Sequence, residues 1–176
     1  MKHLISVFCL LLFAAPVHAQ DVRIDGIEIV RAGIYDMAVI STERDADGVL
    51  QHVANYRLIE STTSVPMRLG VTFGIEYRLI GEPGGERVTV RRAYRFPQPG
   101  GRPPGASVPL LTSSAPYEVT VNGNATASYT LEEPWELLSG IWVIEIWHGD
   151  HKLGEQAFTL VPEYAEAMRP RVEASR

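Results

Sequence analysis

Between residues 68 and 79 the chain alternates strictly, with Leu69, Val71, Phe73, Ile75, Tyr77 and Leu79 separated by Arg68, Gly70, Thr72, Gly74, Glu76 and Arg78. Successive side chains of a strand point to opposite faces, so the apolar set gathers on one side, whereas a helix would scatter it around its circumference. The pattern predicts a strand with one face against a core. A turn cluster at residues 81–85 follows, and residues 87–96 return with Val88, Val90, Tyr94 and Phe96 inward. Arg87, Thr89, Arg91, Ala93 and Arg95 form the outward row. Two such runs across a Gly/Pro turn read as a β-hairpin.

A second hairpin occupies residues 139–161. Trp142, Ile144 and Ile146 share one face of its first strand, and Phe158 and Leu160 supply the same interior from its second. Aromatic residues in such rows suit a sandwich core about 10 Å thick, where two inner faces interdigitate. Nearer the N-terminus, residues 21–30 alternate, 33–40 continue that strand or begin another, 42–48 form a polar turn and 53–60 return. Five prolines and three glycines in residues 97–109 mark a solvated crossover loop, since proline lacks the amide donor that a ladder needs. Further strands are expected at 117–121 and 127–131, and a short helix or flexible tail at 163–176. The expectation is an all-β protein: a single antiparallel sandwich of about seven to nine strands over residues 20–162.

The N-terminus adds a compartment. Lys2 and His3 lead into a short apolar run ending near Ala15, followed by Pro16, Val17, His18 and Ala19. This order reads as a signal peptide, residues 1–19, cleaved after Ala19. The run is too short to span a bilayer, and none follows that is long enough, so a periplasmic or secreted protein without an integral membrane segment is expected. The only cysteine, Cys9, leaves with the leader, which excludes disulfides and thiolate chemistry from the remainder. Losing Lys2 takes the formal charge from −5 to −6, the wrong sign for a general phosphate-backbone binder, and nucleic acid is not an expected partner.

Chemistry enters at one place. His148, Asp150 and His151 lie at the turn of the second hairpin, where two imidazoles and a carboxylate can converge on a metal ion. The competing reading is an ordinary two-residue turn of Gly149 and Asp150. Glu43, Asp45, Asp47 and Gly48 imitate the start of a calcium loop, but the twelfth position is Ala54 instead of a bidentate glutamate. No nucleophile elbow, metalloprotease helix or phosphate-binding loop occurs, which favours a protein that is not an enzyme and carries no cofactor. Arg87, Arg91 and Arg95 read as a solvated row guarding an exposed strand, with recognition of an anionic partner as the other possibility.

Residues 134–147 (Pro-Trp-Glu-Leu-Leu-Ser-Gly-Ile-Trp-Val-Ile-Glu-Ile-Trp), then Lys152, Leu153 and Phe158, together with Gly33-Ile34-Tyr35, resemble a small bacterial exported-protein family known only as a domain of unknown function. The resemblance spans about residues 29–161. It implies the immunoglobulin-like sandwich and carries no catalytic residues. The functional expectation is therefore an exported, non-catalytic binding or envelope-accessory module whose partner is a protein or another envelope component. The alternative is a metal-binding protein using His148, Asp150 and His151.

Overall fold

The computed structural model describes residues 21–45 and 48–163, with backbone only at 38–45 and 48–55. The leader (residues 1–19) and the tail (residues 164–176) lie outside the described residues. Among the described residues nine strands run β1 (Arg23–Asp45), β2 (Gly48–Glu60), β3 (Ser64–Met67), β4 (Thr72–Glu82), β5 (Arg87–Arg95), β6 (Thr112–Thr120), β7 (Asn124–Thr130), β8 (Gly140–His148) and β9 (His151–Pro162), with one 3₁₀ turn at Pro134–Glu136. They form a four-stranded sheet of order β2-β1-β4-β7 and a five-stranded sheet of order β3-β9-β8-β5-β6. The protein is all-β, as its alternation predicts.

The interior lies between the two alternating rows. Phe73, Ile75, Tyr77 and Leu79 of β4 are fully buried, and Val90, Trp142, Ile144, Ile146, Phe158 and Leu160 face them from the other sheet. Each such side chain contributes about 1.5–3 kcal/mol by leaving water. Phe73 links the aromatic residues of the other sheet, meeting Trp142 edge-on at 5.8 Å and Phe158 at 5.1 Å between ring centroids. The Trp142 indole N–H donates to the Leu138 carbonyl at 3.0 Å, so the largest core side chain buries no unmet donor.

Three expectations shift. Leu69 does not join the inward row: it is exposed, in a turn that Gly70 makes at φ +83°, and β4 begins only at Thr72. The strand expected at 117–121 starts five residues earlier, at Thr112. β3 is additional, and it pairs parallel to β9 in an otherwise antiparallel sandwich, placing a fully buried Val65 in the core. Residues 33–40 continue β1 and do not begin a strand of their own.

The edges of the sheets are guarded by different means. Pro116 interrupts the donors of β6 and Pro66 those of β3, since proline has no N–H to offer a neighbour. At β7 the guard comes from the opposite sheet: Arg92 Nη1 donates to the Thr126 carbonyl at 3.0 Å and Tyr94 Oη to the Ser128 carbonyl at 2.9 Å. Arg92 thus occupies the inward row that the alternation of residues 87–96 assigns to apolar side chains. Its guanidinium carbon lies 3.4 Å from the centroid of Tyr117, which offsets the cost of taking a cation off the surface.

Candidate functional site

The outer face of the five-stranded sheet carries the densest arrangement of polar and aromatic groups. Pairing aligns three cross-strand rows: Arg91–Trp147–Lys152, Ala93–Glu145–Glu155 and Arg95–Val143–Ala157. Small Ala93 leaves room beside Glu145, whose side chain is only 13 % exposed. The Trp147 indole donates to Glu145 Oε2 at 3.0 Å, while Arg95 and Lys152 lie 3.7 and 3.8 Å from Oε1. Arg91 sits over the Trp147 ring at 4.8 Å. Lys152 also bonds Glu155 at 2.6 Å, and this contact holds the Glu155 carboxyl below the usual carboxylate range. The expected outward arginine row is therefore outward but engaged: Arg91 on Trp147, Arg95 on Glu145, and Arg87 within 3.9 Å of Glu118.

Beyond this network the same face becomes apolar. A groove of about 660 Å³ runs between β8 and the start of the 96–111 loop, lined among others by Arg95, Pro97, Leu111, Thr112, Ile141 and Val143. Ile141 is 60 % exposed and Leu111 40 %. Val108, 70 % exposed, and Leu110 lie on the adjoining loop. Four of the eight exposed large hydrophobics among the described residues thus belong to this loop and strand, against single exposed side chains elsewhere. The loop is held in shape by Gly101 and Leu110, which exchange backbone hydrogen bonds of 3.0 and 2.6 Å, and Gly101 lies flat under Trp135. A second depression, about 630 Å³, lies beside Arg23 and Glu82. It is lined by charges that already pair: Arg23 bonds Asp25 at 2.9 Å and approaches Glu82 at 3.9 Å.

His148 and His151 face each other as the last pair of the β8–β9 ladder, with Gly149 at φ +56° and Asp150 completing the turn. Asp150 and His151 are exposed and His148 half-buried. Among the described residues no group of three His, Cys, Asp or Glu side chains is placed to hold a metal ion. The calcium-like stretch falls largely where side chains are not described. Glu76 on β4 and Glu145 on β8 lie on the two opposite outer faces. Glu76 pairs with Arg31 at 2.6 Å.

One buried carboxylate gives no linear signal. Glu136, 7 % exposed, accepts from Tyr129 Oη at 2.6 Å and from the backbone N–H groups of Glu132 and Glu133 at 2.7 and 2.8 Å. Three donors satisfy the charge without a cation. Burial first, and this hydrogen bond second, push the Tyr129 phenol well above its ordinary range. The only hint in the sequence is a glutamate three residues after Glu133, the spacing of a capping box.

A four-stranded and a five-stranded sheet packed face to face form a sandwich of the immunoglobulin-like kind. Its architecture matches that of an immunoglobulin-like protein from Pseudomonas aeruginosa, with a TM-score of 0.55 and 24 % identity over 82 % of this chain and 99 % of that one. The chain belongs to the DUF3859 family, a domain of unknown function, which matches residues 25–160. No curated protein matches it. No helix among the described residues is long and apolar enough to cross a membrane.

Proposed function

We propose that the protein is an exported, non-catalytic binding module of the bacterial envelope that engages a partner protein through the outer face of its five-stranded sheet. The observation that carries this reading is the concentration of exposed apolar side chains, Val108, Leu110, Leu111 and Ile141, beside a groove on one sheet face. An apolar patch rimmed by polar groups marks an interaction surface. Export rests on the leader-like order of residues 1–19. The Arg95–Glu145–Lys152 network fits a rim that orients a partner, because such charges set register more than affinity.

The test places a photo-crosslinking residue at position 141 and, as a control on the same face, at position 89, in the native host. A discrete adduct with one envelope protein from position 141 only, lost in Leu111→Asp with the near-ultraviolet circular dichroism retained, supports the reading. Equal adducts from both positions, or none from position 141, overturn it.

A further inference from the structure

We infer that the groove selects an extended peptide in which an apolar side chain and a carboxylate two residues further on share one face, with Arg95 as the anchor for that carboxylate. The inference rests on the binding-module reading and adds the chemistry of the partner. Among the groove's lining residues Arg95 is the only charged one, and the rest of the lining is predominantly apolar. The chain as a whole is acidic, at −5, so the groove is a local cation in an acidic protein.

Arg95 is also placed to take a second acceptor. Its side chain is 52 % exposed, and its 3.7 Å approach to Glu145 is an ion pair without hydrogen-bond contact. Glu145 is meanwhile held from its other sides by the Trp147 indole at 3.0 Å and by Lys152 at 3.8 Å. Turning the guanidinium fork toward an incoming carboxylate therefore leaves Glu145 paired. A guanidinium binds a carboxylate through two parallel N–H···O contacts, which fixes the distance between the acid and the side chain two residues before it that enters the groove.

The geometry also decides among occupants. With Ile141 and Leu111 60 % and 40 % exposed, the walls are too open to enclose a lipid chain, which needs most of its surface covered. Strand addition at neighbouring β6 is blocked by Pro116 in the middle of that edge. The remaining mode is recognition by side chains across the sheet face, in which a peptide presents one apolar residue to Val143 and Ile141 and one acid to Arg95.

Fluorescence anisotropy with two labelled peptides, Gly-Ser-Leu-Phe-Asp-Gly-amide and its Asn counterpart, tests this. The Asp peptide is expected to bind about 5-fold more tightly at low salt, an advantage lost at about 0.5 M salt and in Arg95→Gln, while Arg95→Lys keeps part of it. Ile141→Ser, at an exposed position that leaves folding intact, is expected to weaken both peptides. Equal binding of the two peptides, or a preference that survives in Arg95→Gln, overturns the inference. Failure of both peptides to bind overturns it too, while a position-specific crosslink from position 141 would leave the general binding reading standing.

Discussion

The Tyr94 hydroxyl donates to the Ser128 carbonyl at 2.9 Å, so a side chain from one sheet satisfies the open edge of the other. With Arg92 on Thr126, it replaces the neighbouring strand that β7 lacks.

Tyr94→Phe is expected to cost about 1–2 kcal/mol, because it leaves a partly buried carbonyl without its donor while conserving shape. Arg92→Ala also removes the stacking on Tyr117 and bares more of the edge. Urea unfolding measures the first effect. Light scattering during refolding is expected to rise in the double variant, as an unguarded edge pairs with other chains.

Glu136→Ala is expected to destabilise the protein by about 3 kcal/mol or more, because three donors lose one acceptor together. Glu136→Gln keeps one oxygen and costs less. In that variant the Tyr129 phenol, relieved of a neighbouring carboxylate, is expected to ionise at lower pH, which an absorbance titration at alkaline pH reads directly.

Alkaline pH is expected to unfold the protein through its tyrosines. Burial pushes Tyr35 and Tyr77 up to about 12, and raises Tyr56, Tyr94 and Tyr129 as well. The unfolded chain ionises them near the ordinary value of about 10. Above that value the unfolded state holds fewer protons than the folded one, so stability is complete below pH ~10 and falls as pH rises toward the folded-state values. Denaturation midpoints measured at pH 9, 10 and 11 are expected to decline in that order.

Gly74→Ala is expected to be severe. A Cβ there would lie 2.5 Å from the Ala127 carbonyl oxygen and 2.7 Å from Ser128, so β4 and β7 would have to part. Overpacking of this kind costs about 1–3 kcal/mol or more, here read as a fall in Tm.

At the β8–β9 turn, equimolar zinc is expected to leave Tm unchanged in the intact protein and in His151→Ala, because among the described residues no group of three ligands forms around His148 and His151. A zinc-dependent rise in Tm lost in His151→Ala would support the metal reading.

How much of this was readable beforehand depends on where each residue sits. β4 lies between two neighbours with one face on the core, so its burial leaves a clean period of two. β6 is an edge strand with Val119 its only buried residue, and β3 has four residues and a proline, so neither leaves an alternating trace. The site divides the same way. Residues 91 and 95 show themselves as outward by alternation, but Glu145 acquires its partners from β5 and β9, and such cross-strand meetings depend on register. The bulge between Ile146 and Trp147, which brings Lys152 opposite Trp147, has no signature in the chain. Arg92 lies in the inward row by alternation, but the carbonyl across the sandwich on which its fork is spent depends on how the two sheets pack.

The parallel pairing of β3 with β9 fixes when the fold can finish. Val65 enters the core beside Leu160, and the Thr159 N–H donates to the Thr63 carbonyl at 2.7 Å, joining the third strand of the chain to the ninth. A growing chain has no slot for β3 until its last strand arrives, and such distant contacts form late because the loop between them must be closed first. The sandwich therefore closes only once β9 is in place, with β3 the last strand to find its neighbour.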